Sequence, residues 1–317
     1  MRLQFNYKEE NEHLFSWVKD HKITSYYVEK FNNVFYIDHE LFDLNLKNKR
    51  IFFEVRTTKL KRLYRVVLCL LTLQMKVYRK RNVAVTFNAW SQNYFHWFTE
   101  VLPRVYEISK CKSEVLFVFP FPLNSQYQIP SLLASGVKFQ SFNKRALFAG
   151  NLIFSQCTRK DTGHFSKGQF DYIKKYFEIP DINPSRNIYL KRSNVKRCVY
   201  NDGEVEMLLK LNGFEIIETD NMTLYDQINI FSQAKCLVSM HGAGLTNMIF
   251  MQRNQLIIEF GKEMEQFDKC YFNMCNLLGL RYFHLSCLAV NSDVSFSEVD
   301  LIVDLSELKK LLKSALS

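Results

Sequence analysis

The sequence predicts an α/β protein of two domains, and three observations carry that reading. Short apolar, β-prone runs alternate with segments of helical period along most of the chain, the rhythm of β-α-β units and parallel sheets. The 317 residues suffice for two domains of ordinary size, each with its own core. Residues 235–247 read KCLVSMHGAGLTN, an apolar run that breaks at His241-Gly242-Ala243-Gly244 into a helix-like segment.

In a first domain, residues 1–178, strands are expected at 51–55, 83–87, 115–119, 137–139 and 147–154, with helices at 59–78, 94–110 and 125–135 between them. A helix over 166–177 ends in EIPDINPSR, whose two prolines mark the linker. The second domain, residues 179–317, resumes with strands at 187–190, 214–218, 236–240, 256–260 and 281–285. It closes on the amphipathic helix LSELKKLLKSAL, residues 305–316. Residues 291–300 are polar and predict no element, and the first 80 residues carry no functional motif.

Composition narrows the class. With 47% hydrophobic residues and only 10 Gly and 6 Pro, the chain is globular rather than fibrous or low in complexity. Its 42 Lys and Arg against 32 Asp and Glu give a charge of +10, which favours anionic partners. Eight scattered cysteines without a CxxC pair indicate neither a disulfide framework nor a zinc site and fit a reducing cytoplasm. The N-terminal MRLQFNYKEENEHLF lacks the apolar core of a signal sequence. The longest apolar run, VVLCLLTL at 66–73, falls short of the ~20 residues needed to span a bilayer. The expected location is therefore cytoplasmic. Basic residues flank that run: Lys59, Lys61, Arg62 and Arg65 before it, Lys76, Arg79, Lys80 and Arg81 after it. Residues 59–81 read either as a buried helix with solvated ends or as a peripheral contact with the inner face of an anionic membrane.

Three clusters carry chemistry. In NYFHWFTEVLPR, residues 93–104, His96, Glu100 and Arg104 are spaced four apart and share one helix face, an acid/base constellation; the alternative is a core histidine bonded to backbone. The segment lacks the second histidine of HExxH, so no metal is expected there. In YLKRSNVKRCVYNDGE, Arg192 ends a strand and Lys196 and Arg197 follow in a loop, before a helix capped at Asn201 or Asp202 with Glu204 in its first turn. Guanidinium forks at the carboxyl end of a parallel strand suit a phosphate, although a solvated basic loop has the same composition. In HGAGLTN the glycines permit close backbone approach, and the N–H groups of the following turn favour an anion. A pyrophosphate held between the last two clusters is the expected occupant.

Taken together and in order, NYFHWFTEVLPR, then Arg192, Arg197 and Asn201, then FSQAKCLVSMHGAGLTNMIF and the LIIEFG that contains Glu259, resemble glycosyltransferase family 61 over residues 80–290. The resemblance implies two Rossmann-like domains facing across a cleft, the GT-B type. It also implies inverting transfer of a sugar from a nucleotide diphosphate donor, UDP-sugar before others, without a DxD metal site. Without an anchor the chain is more similar to the bacterial members, associated with capsular and other surface polysaccharides, whose acceptor is a glycan or lipid-linked glycan.

On that reading His96 is the general base, since its ordinary pKa near 6.5 suits proton removal, and Glu100 orients or replaces it. Arg192, Arg197 and the turn formed by His241, Gly242, Ala243, Gly244, Leu245 and Asn247 bind the donor. Glu259 accepts from the ribose hydroxyls or pairs with Lys262. No cofactor beyond the nucleotide sugar is expected. Two other classes fit less well. A nucleic-acid or polyanion binder would explain the charge, but no aromatic-interleaved sheet or recognition helix is present. A nicotinamide-dependent oxidoreductase would need GxGxxG, which is missing.

Overall fold

A computed structural model describes residues 26–38, 40–51, 57–88, 90–111, 114–157, 165, 168–180, 182–192, 197–262, 270–291 and 299–316. These fall into two compact units, one drawn from residues 26–157 and 168–177, the other from residues 165 and 178–316. The molecule is a mixed α/β protein built on two sheets.

The first unit holds seven strands: β1 (Tyr26–Ile37), β2 (Glu40–Asp43), β3 (Asn48–Ile51), β4 (Met75–Val85), β5 (Leu116–Phe119), β6 (Lys138–Ser141) and β7 (Ala146–Cys157). Their order is β3-β2-β1-β7-β4-β5-β6. The β7-β4-β5-β6 side is parallel, as expected, but β1, β2 and β3 add an antiparallel half that departs from a Rossmann-like pattern. The expected strand at 51–55 overlaps only the end of β3, and residues 52–56 lie outside the described residues. Gly150 in β7 is required by a close approach: a Cβ there would lie 1.9 Å from the Arg79 carbonyl oxygen, where β4 bulges against it.

Helix α1 (Lys59–Leu71) is capped by Thr58, whose side chain accepts from the Lys61 N–H at 3.3 Å. The expected helix reached residue 78, but the chain turns at Thr72 and Leu73, the latter at φ +54°, and residues 75–78 pair with β7 instead. Three pieces replace the single helix expected at 94–110: α2 (Tyr94–His96), a π-turn (Trp97–Val101) and α3 (Leu102–Ser109). Helices α4 (Gln128–Ser135) and α5 (Asp171–Tyr176) complete the unit.

The second unit matches its expected strands closely: β8 (Arg186–Leu190), β9 (Phe214–Ile217), β10 (Ala234–Met240), β11 (Leu256–Lys262), β12 (Arg281–Ala289) and β13 (Leu301–Ile302). The order is β13-β12-β11-β10-β8-β9, parallel except for the β12-β13 edge. β10 and β11 are buried along most of their length, which is why they read as continuous apolar runs. Helices α6 (Asp202–Leu211), α7 (Leu224–Ser232), α8 (Cys270–Leu278) and α9 (Leu305–Leu316) accompany the sheet, together with a 3-10 helix (Ala243–Phe250). The core joins the sheet to α6 and α9 through Val205, Leu209, Leu308 and Leu312. The chain order reverses between β8 and β10, since β9 lies outside β8 and β11 lies outside β10. The carboxyl ends of β8 and β10 therefore form the switch point where open α/β sheets bind ligands.

Among the described residues no helix is long and apolar enough to cross a membrane. Cys69, Cys111, Cys198, Cys236, Cys270, Cys275 and Cys287 are free thiols.

Candidate functional site

In the first unit the chain leaves β4 into a turn built by Asn88, whose side-chain oxygen accepts from the Trp90 N–H at 3.0 Å and from the Ser91 hydroxyl at 3.0 Å. Asn93 then caps α2 by accepting from the Phe95 N–H at 2.9 Å. His96 ends α2, and its Nδ1 lies 2.8 Å from Glu100 Oε1. The other Glu100 oxygen accepts from the Asn88 amide at 2.5 Å and lies 3.9 Å from Arg104 Nη2. Burial alone would raise the Glu100 carboxyl. The bond from His96, the Arg104 and His96 charges and the Asn88 amide outweigh it, and hold the pKa below the usual carboxylate value. Glu100 is thus an ionised partner that fixes a proton on His96 Nδ1 and leaves Nε2 as the atom able to accept one. The Trp90 indole, 58% exposed, stacks on the imidazole with centroids 6.0 Å apart.

The π-turn between His96 and Glu100 has a covalent cause. Pro103 has no N–H to give the Thr99 carbonyl, and the Leu102 N–H reaches back five residues to Trp97. The Thr99 carbonyl accepts from Gln169 Nε2 at 2.5 Å, and the Phe98 carbonyl from the Tyr172 hydroxyl. Segment 168–177 thereby fastens the turn on which His96 and Glu100 are carried.

In the second unit three elements meet at Gly242. β8 delivers Arg192, whose Nη1 donates to the His241 carbonyl at 3.0 Å. Ser239 Oγ donates to the Leu190 carbonyl at 2.8 Å and ties the two strand ends together. A Cβ on Gly242 would lie 2.2 Å from Arg192 Nη1 and 3.5 Å from Arg197 Nη2, and one on Gly244 2.7 Å from Leu190 Cδ2. A side chain at either position would displace the Arg192 guanidinium or the Leu190 methyl; the backbone itself does not demand glycine at Gly242, which is extended at φ 167°. Arg197 sits at φ +70°. Burial pulls both guanidinium pKa values down, and for Arg197 the Arg192 charge adds to the effect. Two cations crowd one turn, an arrangement that an anion would relieve.

His241 is nearly buried and its Nδ1 lies 2.5 Å from Glu259 Oε1. The second Glu259 oxygen accepts from the Tyr282 hydroxyl at 2.7 Å, and the Tyr271 hydroxyl donates to the Gly242 carbonyl at 2.6 Å. Glu259, at 0% exposure, anchors the histidine. His284, opposite Glu259 on β12, is pushed down to about 4 by burial first and by the His241 charge second.

Several expected roles move. The segment after the glycines is a 3-10 helix, in which the Leu245 N–H already bonds back to the Gly242 carbonyl at 2.9 Å. Leu245 and Asn247 are fully buried; Asn247 Nδ2 donates to Gln227 at 3.0 Å and to the Gly244 carbonyl at 3.1 Å, supporting the turn from behind. Asn201 precedes α6 without a side-chain cap and instead exchanges hydrogen bonds with the Val303 backbone at 2.9 and 3.0 Å. Lys196 lies outside the described residues. Asn88, Trp90, Tyr271 and Tyr282 escaped the sequence reading because their placement depends on turn geometry and cross-strand register. The NAW tripeptide just before NYFHW was the available signal for the first two.

The sequence model of the family Glycosyltransferase 61 matches residues 94–258. Curated proteins are similar over shorter stretches. EGF domain-specific O-linked N-acetylglucosamine transferase of Drosophila melanogaster is 28% identical over 118 residues, covering 35% of this chain and 22% of that protein. The protein of that description from Mus musculus is 27% identical over 144 residues, covering 43% of this chain and 27% of the relative. The chain thus matches about a quarter of the length of these relatives.

Proposed function

Since this chain belongs to glycosyltransferase family 61, we propose that it transfers a sugar from a nucleoside diphosphate donor to a hydroxyl acceptor, with inversion at the anomeric carbon. The single observation that carries the donor half is the convergence of Arg192 and Arg197 on Gly242 at the switch point of the second sheet. In this reading the acceptor hydroxyl loses its proton to His96 Nε2 while Glu100 steadies the imidazolium that forms. The oxygen attacks the anomeric carbon from the side opposite the diphosphate. The carbon–oxygen bond to the leaving phosphate breaks, its electron pair passes to the phosphate oxygen, and Arg192 and Arg197 stabilise the charge that builds there. His241, fixed by Glu259, aims its carbonyl at Arg192 and so positions the guanidinium. Trp90 offers an exposed indole face beside the base for a sugar ring or a peptide side chain.

UDP is the proposed carrier, because the related transferases named above move N-acetylglucosamine. The acceptor is either a glycan, as in surface polysaccharide assembly, or a hydroxyl on a folded protein module, for which the names of those relatives speak. Incubation with UDP-N-acetylglucosamine and each acceptor class, with product stereochemistry read by NMR, tests the proposal. An inverted linkage that depends on Arg192 and His96 supports it; absence of transfer from every nucleotide sugar, or retention of configuration, overturns it.

A further inference from the structure

Helix α1 presents its apolar side outward. Its inner face carries Arg62, Val66 and Cys69, packed on Ile37, Phe42 and Ala146 of the first sheet. Arg62 donates to the Leu46 carbonyl at 2.9 Å and lies over the Phe42 ring, and Arg65 donates to Glu40 at 2.8 Å. On the outer face Leu60, Leu63, Tyr64, Val67, Leu70 and Leu71 all stand exposed, up to 78% for Leu71, and Leu73 follows at 76%. At 100° per residue these helix positions fall in one arc, and Lys59 and Lys61 fall on its two borders. Scattered exposed leucines need no explanation, but a continuous stripe of six does.

Charge identifies what would cover it. Between Glu54 and Glu100 the sequence contains nine Lys or Arg and no Asp or Glu. Lys59, Lys61, Arg79, Lys80 and Arg81 are exposed. The carboxylates under the helix are engaged there: Glu40 by Arg62 and Arg65, Asp38 by Arg65 and Arg145. We propose that the outer face of α1 is a docking surface for an anionic lipid bilayer. The helix lies in the plane of the interface, with leucines among the acyl chains and Lys59 and Lys61 extended along the borders toward lipid phosphates. A second copy of the chain fits less well. Stripe against stripe would bring lysine borders together, and the helix carries no acidic residue to answer them.

The test is co-sedimentation of the full chain with phosphatidylcholine vesicles, with or without phosphatidylserine, at low and high salt. Binding at least about tenfold tighter to the anionic vesicles, and weakened by salt, is expected. The double variant Leu63→Glu/Leu70→Glu should lose about tenfold or more of that binding while melting at the parent's temperature, and Lys59→Gln/Lys61→Gln should lose part of it. Failure of the parent to prefer anionic vesicles overturns the proposal, as does unchanged binding by the glutamate variant. A large drop in that variant's melting temperature would show the face to be covered within the chain. A concentration-dependent dimer that the variant abolishes would assign the face to a second copy. None of these readouts involves sugar transfer, so their failure leaves the transferase reading intact.

Discussion

At the scale of the residue, the base chemistry proposed for the first unit rests on one proton and the carboxylate that places it. Glu100 is held ionised by His96, Arg104 and Asn88, so it suits an orienting role better than that of a base. His96→Ala should lower transfer by about two to four decades and leave nucleotide affinity nearly unchanged, because a general base acts chiefly in the transition state. Glu100→Gln should do less; an equal or larger loss in single-turnover rate would make Glu100 the base. His284 gives a different kind of test. Its imidazole is kept neutral in the folded protein down to about pH 4, whereas in the unfolded chain it protonates near 6.5. The stability it contributes is therefore complete above pH 6.5 and is lost as the pH falls toward 4, by about 3 kcal/mol. Carboxylates held low, Glu100 among them, lose their contribution only at more acid pH. Urea unfolding at pH 7 and 4.5 should show the loss in the parent and a flatter profile in His284→Gln; parallel profiles would place the titration elsewhere.

At the scale of the element, the π-turn and the glycine turn each depend on contacts from outside themselves. Tyr172→Phe or Gln169→Ala deprives a buried carbonyl of the π-turn of its donor, which should cost about 1 to 3 kcal/mol by denaturant unfolding and slow transfer along with it. A variant with parent-like stability and rate would show the turn to be self-sufficient. Gly242→Ala would put a methyl where the Arg192 guanidinium sits, so nucleotide binding should fall far more than stability. These same elements mark the boundary of what was legible in the sequence. The strands of the second sheet could be read because β10 and β11 are buried and their apolar runs are unbroken. β1 could not, because in YYVEKFNNVFYI the polar Glu29-Lys30 and Asn32-Asn33 interrupt a strand that is only partly buried, and Asn33 takes a left-handed φ of +50° in the middle of it. The His96–Glu100 pair was visible from spacing alone, yet the π-turn that carries it was signalled only by Pro103. Glu259 could be placed along its strand but its contacts could not, since His241 follows one neighbouring strand and Tyr282 lies in another, and chain order does not state how the three are aligned.

At the scale of the whole molecule, the proposed donor site and the proposed base belong to different units, so a ligand and a small set of substitutions can separate them. A nucleoside diphosphate that binds only the folded second unit stabilises it by about 2.7 kcal/mol at a hundred times its dissociation constant. UDP, or GDP if the carrier differs, should therefore raise the melting temperature of the full chain. Chelation with EDTA should leave the shift in place if guanidinium groups meet the diphosphate, as proposed. Arg192→Ala and Arg197→Ala should each weaken binding by about one to two decades, the worth of a charge-assisted bond to phosphate. Arg253→Ala, exposed in the loop before β11, should leave it unchanged. His96→Ala should keep the whole shift, since it removes a group from the other unit. Equal losses at Arg192, Arg197 and Arg253 would mean that the +10 charge attracts anions diffusely. A shift lost with His96 as well would mean that the nucleotide is not held by the second unit alone, and the assignment of donor and base to separate units would fall.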